Sequence, residues 1–385
     1  MVDVVRAIYR IRADESVEER AKALALEQTA ELPADALVGE AARKGLVGRV
    51  VAVERDPEAG HQVTIEYPAA AAADDPAQLL NLLFGNASQQ DDVELLDAQL
   101  PDTLRELLGG PGHGIQGIRS AVGAGDRPLA CAALKPMGLG PEALGRICST
   151  LAEAGIDVIK DDHGLADAGY CPLEARMEAC LSAVERVSDA TGRRAVYAPN
   201  LIGSPAALAR QLETAERLGA GAVLVAPLVV GLPAFHELAQ QSPVPIVAHP
   251  ALSGGSRIAT PLLLGTLFRL YGADAVVFPH AGGRFPFDET LCRDLADRLR
   301  RPGEGIRPAL PVPAGGISVE RVREMIGFYG SEVMLLVGGT LYRAGELLGE
   351  RAREFVERVR GGPDAVETSG EAVRRPRERR SGAGR

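Results

Sequence analysis

The chain is 385 residues long, carries a formal net charge of −10 at pH 7 and contains no tryptophan. Its length exceeds that of a usual single domain, and its acidic charge argues against nucleic acid or an anionic membrane as the main partner. No apolar run is long enough to span a bilayer, and the N-terminus lacks the regions of a signal peptide. The five cysteines are scattered without a C-x-x-C pair, which favours free thiols in a reducing cytoplasm.

The first 110 residues are predicted to form a small α+β domain. Residues 4–13 and 61–68 alternate β-branched or aromatic residues with polar ones, which is typical of strands. Between them, residues 16–32 have apolar residues at helical spacing and acidic residues in the first turn, which predicts a helix. The glycine-rich stretch 107–117 is the expected joint to the second domain.

From residue 111 to residue 360, short apolar runs alternate with helical segments. Eight such units indicate parallel strands covered by helices, and their number favours a closed (β/α)8 TIM barrel. An open doubly wound sheet stays open as the alternative, because periodicity does not show closure. The eight predicted strands are 128–135, 155–160, 194–200, 221–227, 244–250, 274–280, 309–316 and 332–339. Residues 361–385 are poor in apolar residues, so we expect a disordered tail.

Chemically useful residues end most of these strands. The strand ends are Lys135, Lys160, Asn200, Pro227, His249, His280, Gly315–Gly316 and Gly338–Gly339. In a barrel they all lie on the C-terminal face, where the reacting groups of barrel enzymes collect. The N–H groups of the glycine pairs suit an anion, although tight turns alone would also require glycine. The ring as a whole indicates an active site.

Lys160 ends an apolar strand and is followed by two carboxylates and an imidazole. Strand side chains alternate in direction, so Lys160 and Asp162 point the same way and His163 enters the following loop. These three side chains could converge on one metal ion or one acidic proton. The plain alternative is a strand that ends in a polar turn.

A set of ordered motifs runs through both predicted domains. They are EERAKALALEQT and LLFGNAS, then GPGHGIQG, PLACAALKP and GIDVIKDD, then HP, PH and VGGT at later strand ends. Together they resemble the large-subunit family of ribulose-bisphosphate carboxylase, from about Tyr9 to Arg360. The resemblance implies a barrel preceded by a small domain, and an active site at the strand ends.

The resemblance also implies a magnesium site. In the carboxylases the lysine that ends strand two is carbamylated and binds magnesium with an aspartate and a glutamate. The matching residues are Lys160, Asp162 and His163, so histidine replaces the glutamate. A carbamate on Lys160 would serve as ligand and base, with Asp161 as a further oxygen donor. The alternatives are fewer protein ligands, a softer ion such as manganese, or a free amine at Lys160.

Other departures point to the rubisco-like proteins, which do not fix carbon dioxide. A second lysine expected two residues beyond Lys135 is Met137, and the phosphate-binding arginine expected after His249 is Pro250. The lysine of the mobile loop is missing as well, and Arg284 is the candidate substitute. Loss of these groups argues against carboxylation of a bisphosphate.

The resemblance assigns further roles around the substrate. Lys135 is the expected proton-transferring lysine, and His249 and His280 would hydrogen-bond substrate hydroxyls or shuttle protons. The phosphate or carboxylate of the substrate would be held by Gly315, Gly316, Gly338, Gly339 and Thr340. In this family the first domain of a neighbouring subunit completes the site, which implies at least a homodimer. The matching residues of that domain are Glu27 and Asn86.

The residues that remain are suited to abstracting a proton from a carbon beside a carbonyl. We expect a rubisco-like enzyme that enolises, isomerises or decarboxylates a keto sugar phosphate or a branched keto sugar acid. One alternative is the methionine-salvage 2,3-diketo-5-methylthiopentyl-1-phosphate enolase. The other is a catalytically degenerate barrel that binds a small anion. Against the latter stands the joint presence of Lys135, Lys160, Asp162, His249 and His280.

Overall fold

The computed structural model describes residues 3–12, 16–32, 36, 45–56, 59–303 and 305–361. All but the first residue of the predicted tail lies outside the described residues. The five cysteines are buried free thiols, as expected. Among the described helices, none is long and apolar enough to cross a membrane.

An antiparallel sheet with the strand order β2-β3-β1-β4 forms the first part of the molecule. Its strands are β1 (Val4–Ile11), β2 (Arg49–Asp56), β3 (Gly60–Pro68) and β4 (Val93–Gln99). Strands β1 and β3 and helix α1 (Val17–Glu27) lie where the sequence predicts them. Alternate residues of β3 are buried in the core, because successive strand side chains point to opposite faces of the sheet.

Nine short segments build eight parallel barrel strands. They are β5 (Leu129–Ala133), β6 (Val158–Lys160), β7 (Val196–Ala198), β8 (Asn200–Leu201), β9 (Val223–Val225), β10 (Ile246–Ala248), β11 (Ala275–Pro279), β12 (Leu310–Ala314) and β13 (Met334–Val337). Segments β7 and β8, separated by Pro199, form the third barrel strand. Hydrogen bonds connect β13-β5-β6-β7 and β8-β9-β10-β11-β12, and β12 lies beside β13. The predicted (β/α)8 TIM barrel is therefore confirmed, and the open sheet is wrong.

Helices cover the barrel and join it to the first sheet. Further α-helices are α2 (Pro76–Phe84), α3 (Asp102–Leu108), α4 (Gly114–Val122), α5 (Pro141–Glu153), α6 (Leu173–Thr191), α7 (Pro205–Arg217), α8 (Pro227–Val230), α9 (Leu232–Gln241), α10 (Phe268–Leu270), α11 (Glu289–Arg300), α12 (Val322–Tyr329), α13 (Gly339–Tyr342) and α14 (Leu348–Arg360). A π-helical segment, Pro261–Leu267, precedes α10. The domain boundary at residue 110 falls between α3 and α4 and stays a prediction.

The N-terminal face of the barrel carries structural ion pairs, whereas the C-terminal face carries the predicted reactive residues. At the N-terminal face, the buried carboxylate of Asp157 accepts hydrogen bonds from Arg127 at 2.6 and 2.8 Å and from Arg360 at 3.2 Å. These bonds tie α14 to the barrel. The predicted reactive residues lie at the opposite, C-terminal face, as in barrel enzymes generally.

Candidate active site

The ends of three barrel strands bring five predicted site residues together. Lys135 follows β5, Lys160 ends β6 with Asp162 and His163 just beyond it, and His249 follows β10. The side chains of Lys135 and Asp162 are hydrogen-bonded, and the rings of His163 and His249 are stacked. We call these five residues the central cluster.

Lys135 is fixed through both its main chain and its side chain. Its backbone N–H donates to the hydroxyl of Tyr342 at 3.1 Å, and that hydroxyl donates to the carbonyl of Ala133 at 2.8 Å. Its ammonium donates to the carboxylate of Asp162 in an ion pair. About one third of the Lys135 side chain is exposed, so the amine can still reach a substrate.

Lys160 is a buried amine, with 2% of its surface exposed. Its Nζ donates to the main-chain oxygen of Asp161 at 2.9 Å. Burial lowers the pKa of Lys160, and the nearby charge of Lys135 lowers it further. The environment therefore favours the neutral amine more than water does.

Asp161 does not face the central cluster as a free ligand. Its carboxylate accepts hydrogen bonds from Arg176 Nε at 2.9 Å, Tyr197 Oη at 2.8 Å and Asn200 N at 3.0 Å. Both oxygens are engaged, and both Asp161 and Arg176 are fully buried. The prediction that Asp161 is a further metal ligand is therefore wrong. Its carboxylate instead supports the loop that carries Asp162 and His163.

Asp162 is the anionic centre of the cluster. It accepts hydrogen bonds from the His163 main chain at 3.0 Å and lies 3.1 Å from Nδ1 of the His163 ring. Burial alone would raise the pKa of Asp162. The hydrogen bonds from His163 and Lys135, with the charges of both lysines, outweigh burial and hold that pKa well below its usual range.

The surroundings of His249 favour its neutral ring. Burial and the charge of Lys160 lower the pKa of His249 to about 2. The backbone N–H of Ala251 donates to its Nδ1 at 3.2 Å, so in the neutral ring the proton resides on Nε2. This geometry favours His249 as a hydrogen-bond donor to substrate over a proton shuttle.

The two glycine pairs lie side by side and adjoin the cluster. The hydroxyl of Thr340, which follows Gly338 and Gly339, donates to the carbonyl of Ile317 at 2.6 Å and so ties the loop after β13 to the loop after β12. A Cβ on Gly338 would lie 3.7 Å from Cε of Lys135. The backbone of Gly315 and Gly316 is left-handed, with φ of 86° and 115°, which glycine adopts readily.

His280 lies in a separate sector of the rim and is 4% exposed. Its Nε2 lies 3.3 Å from the guanidinium of Arg321, which can only donate, so Nδ1 carries the proton and donates to Tyr329 Oη at 2.9 Å. Sequence reasoning missed Arg321. The available signal was its position a few residues after the first glycine pair, PAGGISVER.

Comparison with known proteins agrees with these features. Residues 114–286 match the model of the ribulose bisphosphate carboxylase large chain, catalytic domain. Ribulose bisphosphate carboxylase-like protein 1 of Rhodopseudomonas palustris is 46% identical, over 93% of this chain and 98% of its own. A crystal structure of a rubisco-like protein from Rhodopseudomonas palustris superposes with a TM-score of 0.86 at 43% identity, covering 94% of this chain and 98% of that chain.

The chain belongs to the rubisco-like proteins. Relatives within this group have names of enzymes. The 5-methylthioribulose-1-phosphate isomerase of Rhodospirillum rubrum is 44% identical, over 94% of this chain and 97% of its own. A 2,3-diketo-5-methylthiopentyl-1-phosphate enolase of Microcystis aeruginosa is 33% identical over 86% of both chains.

In this rubisco-like protein, methionine and arginine stand where the resemblance leads one to expect two lysines. Met137 is 53% exposed and packs on Gly164, where an added Cβ would lie 2.5 Å from its sulfur. Arg284, the candidate substitute for the mobile-loop lysine, lies over the ring of Phe285 with Cζ 5.1 Å from the ring centroid. Its backbone N–H donates to the carbonyl of Gly315 at 2.8 Å, which anchors its loop to the first glycine pair.

The two residues predicted to serve a neighbouring subunit contact each other. Asn86 Nδ2 donates to Glu27 Oε1 at 2.8 Å. Between them, Gln28 accepts from Ala87 N at 2.6 Å and donates to the Leu82 carbonyl at 2.9 Å, which fixes both segments. The rubisco-like protein therefore carries a hydrogen-bonded polar pair beside its antiparallel sheet.

The donor set decides whether magnesium fits the central cluster. Within the part of the chain that the structure describes, no three His, Cys, Asp or Glu side chains are placed to hold a metal ion. Asp162 is the single carboxylate of the cluster, and a hard ion requires several oxygens. The unmodified side chains of the cluster therefore supply too few oxygens for magnesium, and a carbamate on Lys160 would add two oxygens to Asp162 and His163.

Proposed function

We propose that this rubisco-like protein is a ketose-phosphate isomerase that acts on 5-methylthioribulose 1-phosphate. The observation that carries the proposal is the ion pair of Lys135 with Asp162, set between the buried amine of Lys160 and a glycine loop suited to an anion. The relative named as that isomerase is more similar to this chain than the enolase is. Pro250, at the position where the resemblance predicts a phosphate-binding arginine, suits a substrate with one phosphate.

The chemistry follows from the chain's own side chains. With the phosphate on the N–H groups of the glycine loops, the Lys135 ammonium first releases a proton to water. The free amine then takes the proton from a carbon beside the ketone. The electron pair of the broken C–H bond moves onto the ketone oxygen and gives an enediolate. His249 donates Nε2–H to that oxygen, and Asp162 stabilises the protonated Lys135. The hydroxyl proton on the deprotonated carbon then moves to the former ketone oxygen, and Lys135 returns the abstracted proton to the former ketone carbon. The carbonyl group has then moved by one carbon, which completes the isomerisation.

We also propose that Lys160 is carbamylated and holds magnesium together with Asp162 and His163. A lowered pKa increases the share of neutral amine, the form that reacts with carbon dioxide. Bound magnesium would supply positive charge beside the enediolate oxygen. We expect carbon NMR with labelled bicarbonate to show a carbamate in the wild type and none in Lys160→Met. Magnesium affinity that is indifferent to bicarbonate, with no carbamate signal, would leave Lys160 as a free amine.

Solvent exchange tests the reaction itself. In deuterated water, the protein should incorporate deuterium into 5-methylthioribulose 1-phosphate and release its isomer, as followed by proton NMR. Lys135→Met should abolish both, whereas Lys22→Met, at an exposed site on α1, should abolish neither. Turnover of the diketo-methylthiopentyl phosphate alone would favour the enolase, and decarboxylation of a branched keto sugar acid would favour the lyase. Exchange into none of these compounds would favour the degenerate barrel.

The assembly we propose is a homodimer in which Glu27 and Asn86 complete the partner's site. Their exposed contact supports the proposal. A polar pair that is already held in one geometry can bind a substrate in the barrel of a neighbouring subunit without first being ordered. Subunit complementation between two inactive variants tests it.

A further inference from the structure

Arg321 reaches from the segment after β12 to the neighbouring loop after β11. Its Nη2 lies 3.3 Å from Nε2 of His280, and its Nη1 lies 3.4 Å from the carbonyl of Ala281 and 3.5 Å from that of Gly282. These contacts are long, and the shorter hydrogen bonds of Arg321 go to Glu324, from Nη2 at 2.7 Å and from Nε at 3.1 Å. About one third of the side chain is exposed.

The loop beneath Arg321 connects it to the first glycine pair. A Cβ on Gly282 would lie 3.2 Å from Nη1 of Arg321. The next residue, Gly283, packs against Gly315, where an added Cβ would lie 2.2 Å from the Gly315 carbonyl oxygen. Gly282 and Gly283 therefore lie between the guanidinium and the glycine pair whose backbone N–H groups are proposed to hold the phosphate.

A cation beside that site would strengthen phosphate binding, because glycine N–H groups carry no formal charge and charge-assisted hydrogen bonds are stronger. Lys135 is paired with Asp162, and Lys160 is buried. Arg284 lies over the ring of Phe285. Arg321 pairs with Glu324 at 2.7 Å, but Glu324 is 59% exposed, and exposed pairs three residues apart contribute little free energy. Exchange of Glu324 for a phosphate would therefore cost little.

We propose that Arg321 is the cation of the substrate's phosphate site. It binds the phosphate beside the glycine pair of the β12 loop, and His280 positions it by accepting a hydrogen bond from its guanidinium. Tyr329 fixes the ring of His280 from the other side. The inference rests on the proposed function for the identity of the phosphorylated substrate, but the anion site itself is testable without turnover.

Binding of inorganic phosphate, measured by calorimetry on the full chain, tests the proposal. Arg321→Met should raise the Kd for phosphate roughly tenfold or more, because a charge-assisted hydrogen bond is lost. The same variant should raise KM for the sugar phosphate while kcat changes little, and Arg321→Lys should recover part of the loss. Glu324→Gln should bind phosphate as tightly as the wild type or more tightly. Arg293→Met is the matched control, because Arg293 lies over the ring of Phe328 with Cζ 4.3 Å from its centroid.

Two outcomes would overturn the assignment. One is an Arg321→Met variant whose Kd for phosphate and KM for the sugar phosphate equal those of the wild type. An unchanged midpoint of thermal unfolding would show that this variant is folded. The other is a loss of phosphate affinity in Arg284→Met that Arg321→Met does not share. If phosphate binding depends on Arg321 while no isomerase activity is found, the proposed function fails and the anion site stands. If isomerase activity is found and Arg321→Met matches the wild type, this inference alone fails.

Discussion

The imidazole of His163 lies flat against that of His249, with ring centroids 3.9 Å apart and planes 9° from parallel. Stacked at this distance, the two rings would repel each other if both were protonated, which is consistent with the low pKa of His249. At the position where the resemblance predicts a carboxylate, His163 changes two things at once. It removes a hard oxygen donor from the cluster, and it provides an aromatic surface that keeps His249 in position.

His163→Glu should strengthen magnesium binding in the presence of bicarbonate. A carboxylate supplies the oxygen that a hard ion prefers, so we expect the Kd for magnesium to fall by roughly tenfold or more in calorimetry. His163→Gln is the matched control, since it removes the ring without adding charge, and it should leave the Kd near or above that of the wild type. Equal affinities in the wild type and His163→Glu would place the metal away from this residue.

Lys160→Met should abolish activity yet leave the fold at least as stable as the wild type. The Lys160 amine is buried and donates to a main-chain oxygen, so methionine of similar length removes the cost of burying a charge. We expect urea unfolding to show a gain of about 1 kcal/mol. The exposed Lys22→Met should stay within about 0.5 kcal/mol of the wild type. A loss of several kcal/mol in Lys160→Met would show that the amine is needed for folding.

Arg176→Met should destabilise the protein strongly. It leaves Asp161 buried with its ion-pair partner removed, and such changes cost about 3–5 kcal/mol. Arg217→Met is the matched control, because Arg217 and Glu174 are both more than half exposed and their pair contributes less than about 1 kcal/mol. Urea unfolding measures both variants. Similar costs for the two would mean that Asp161 is not tied to Arg176 in solution.

Much of the fold, and the position of Lys135, Lys160 and His249 on one rim of the barrel, could be predicted from the sequence for physical reasons. Buried parallel strands are short apolar runs, and their order along the chain places Lys135, Lys160 and His249 on one rim. Strand alternation then aims Asp162 into the cluster. The engagement of Asp161 was not readable, because its partner Arg176 lies on the next helix and its pairing depends on burial. Closure of the barrel and the reach of Arg321 to His280 are likewise long-range contacts with no local pattern.

His280 should make stability depend on pH. Burial first, and then the charge of Arg321, lower the pKa of His280 from its ordinary value of 6.5. Below pH 6.5 the unfolded chain binds a proton at this histidine more readily than the folded protein does. The contribution of His280 to the free energy of unfolding is therefore complete above pH 6.5 and decreases as the pH falls toward the folded pKa. The difference in unfolding free energy between the wild type and His280→Gln should shrink on acidification, by at most about 1.4 kcal/mol per pH unit. A difference that is constant from about pH 8 to about pH 5 would contradict this.

Mixed subunits should regain activity if the first domain of one chain completes the barrel site of another. Lys160→Met disables the barrel half of a site, and the Glu27→Gln, Asn86→Ala double variant disables the half proposed to come from the neighbour. After the two inactive proteins are unfolded together and refolded, half of the dimers should be mixed, and each mixed dimer has one intact site. The expected activity is about a quarter of the wild type, whereas each variant refolded alone should stay inactive. Because Glu27 and Asn86 contact each other within one chain, a site completed in cis would give no recovery on mixing, and that result would remove the neighbour from the mechanism.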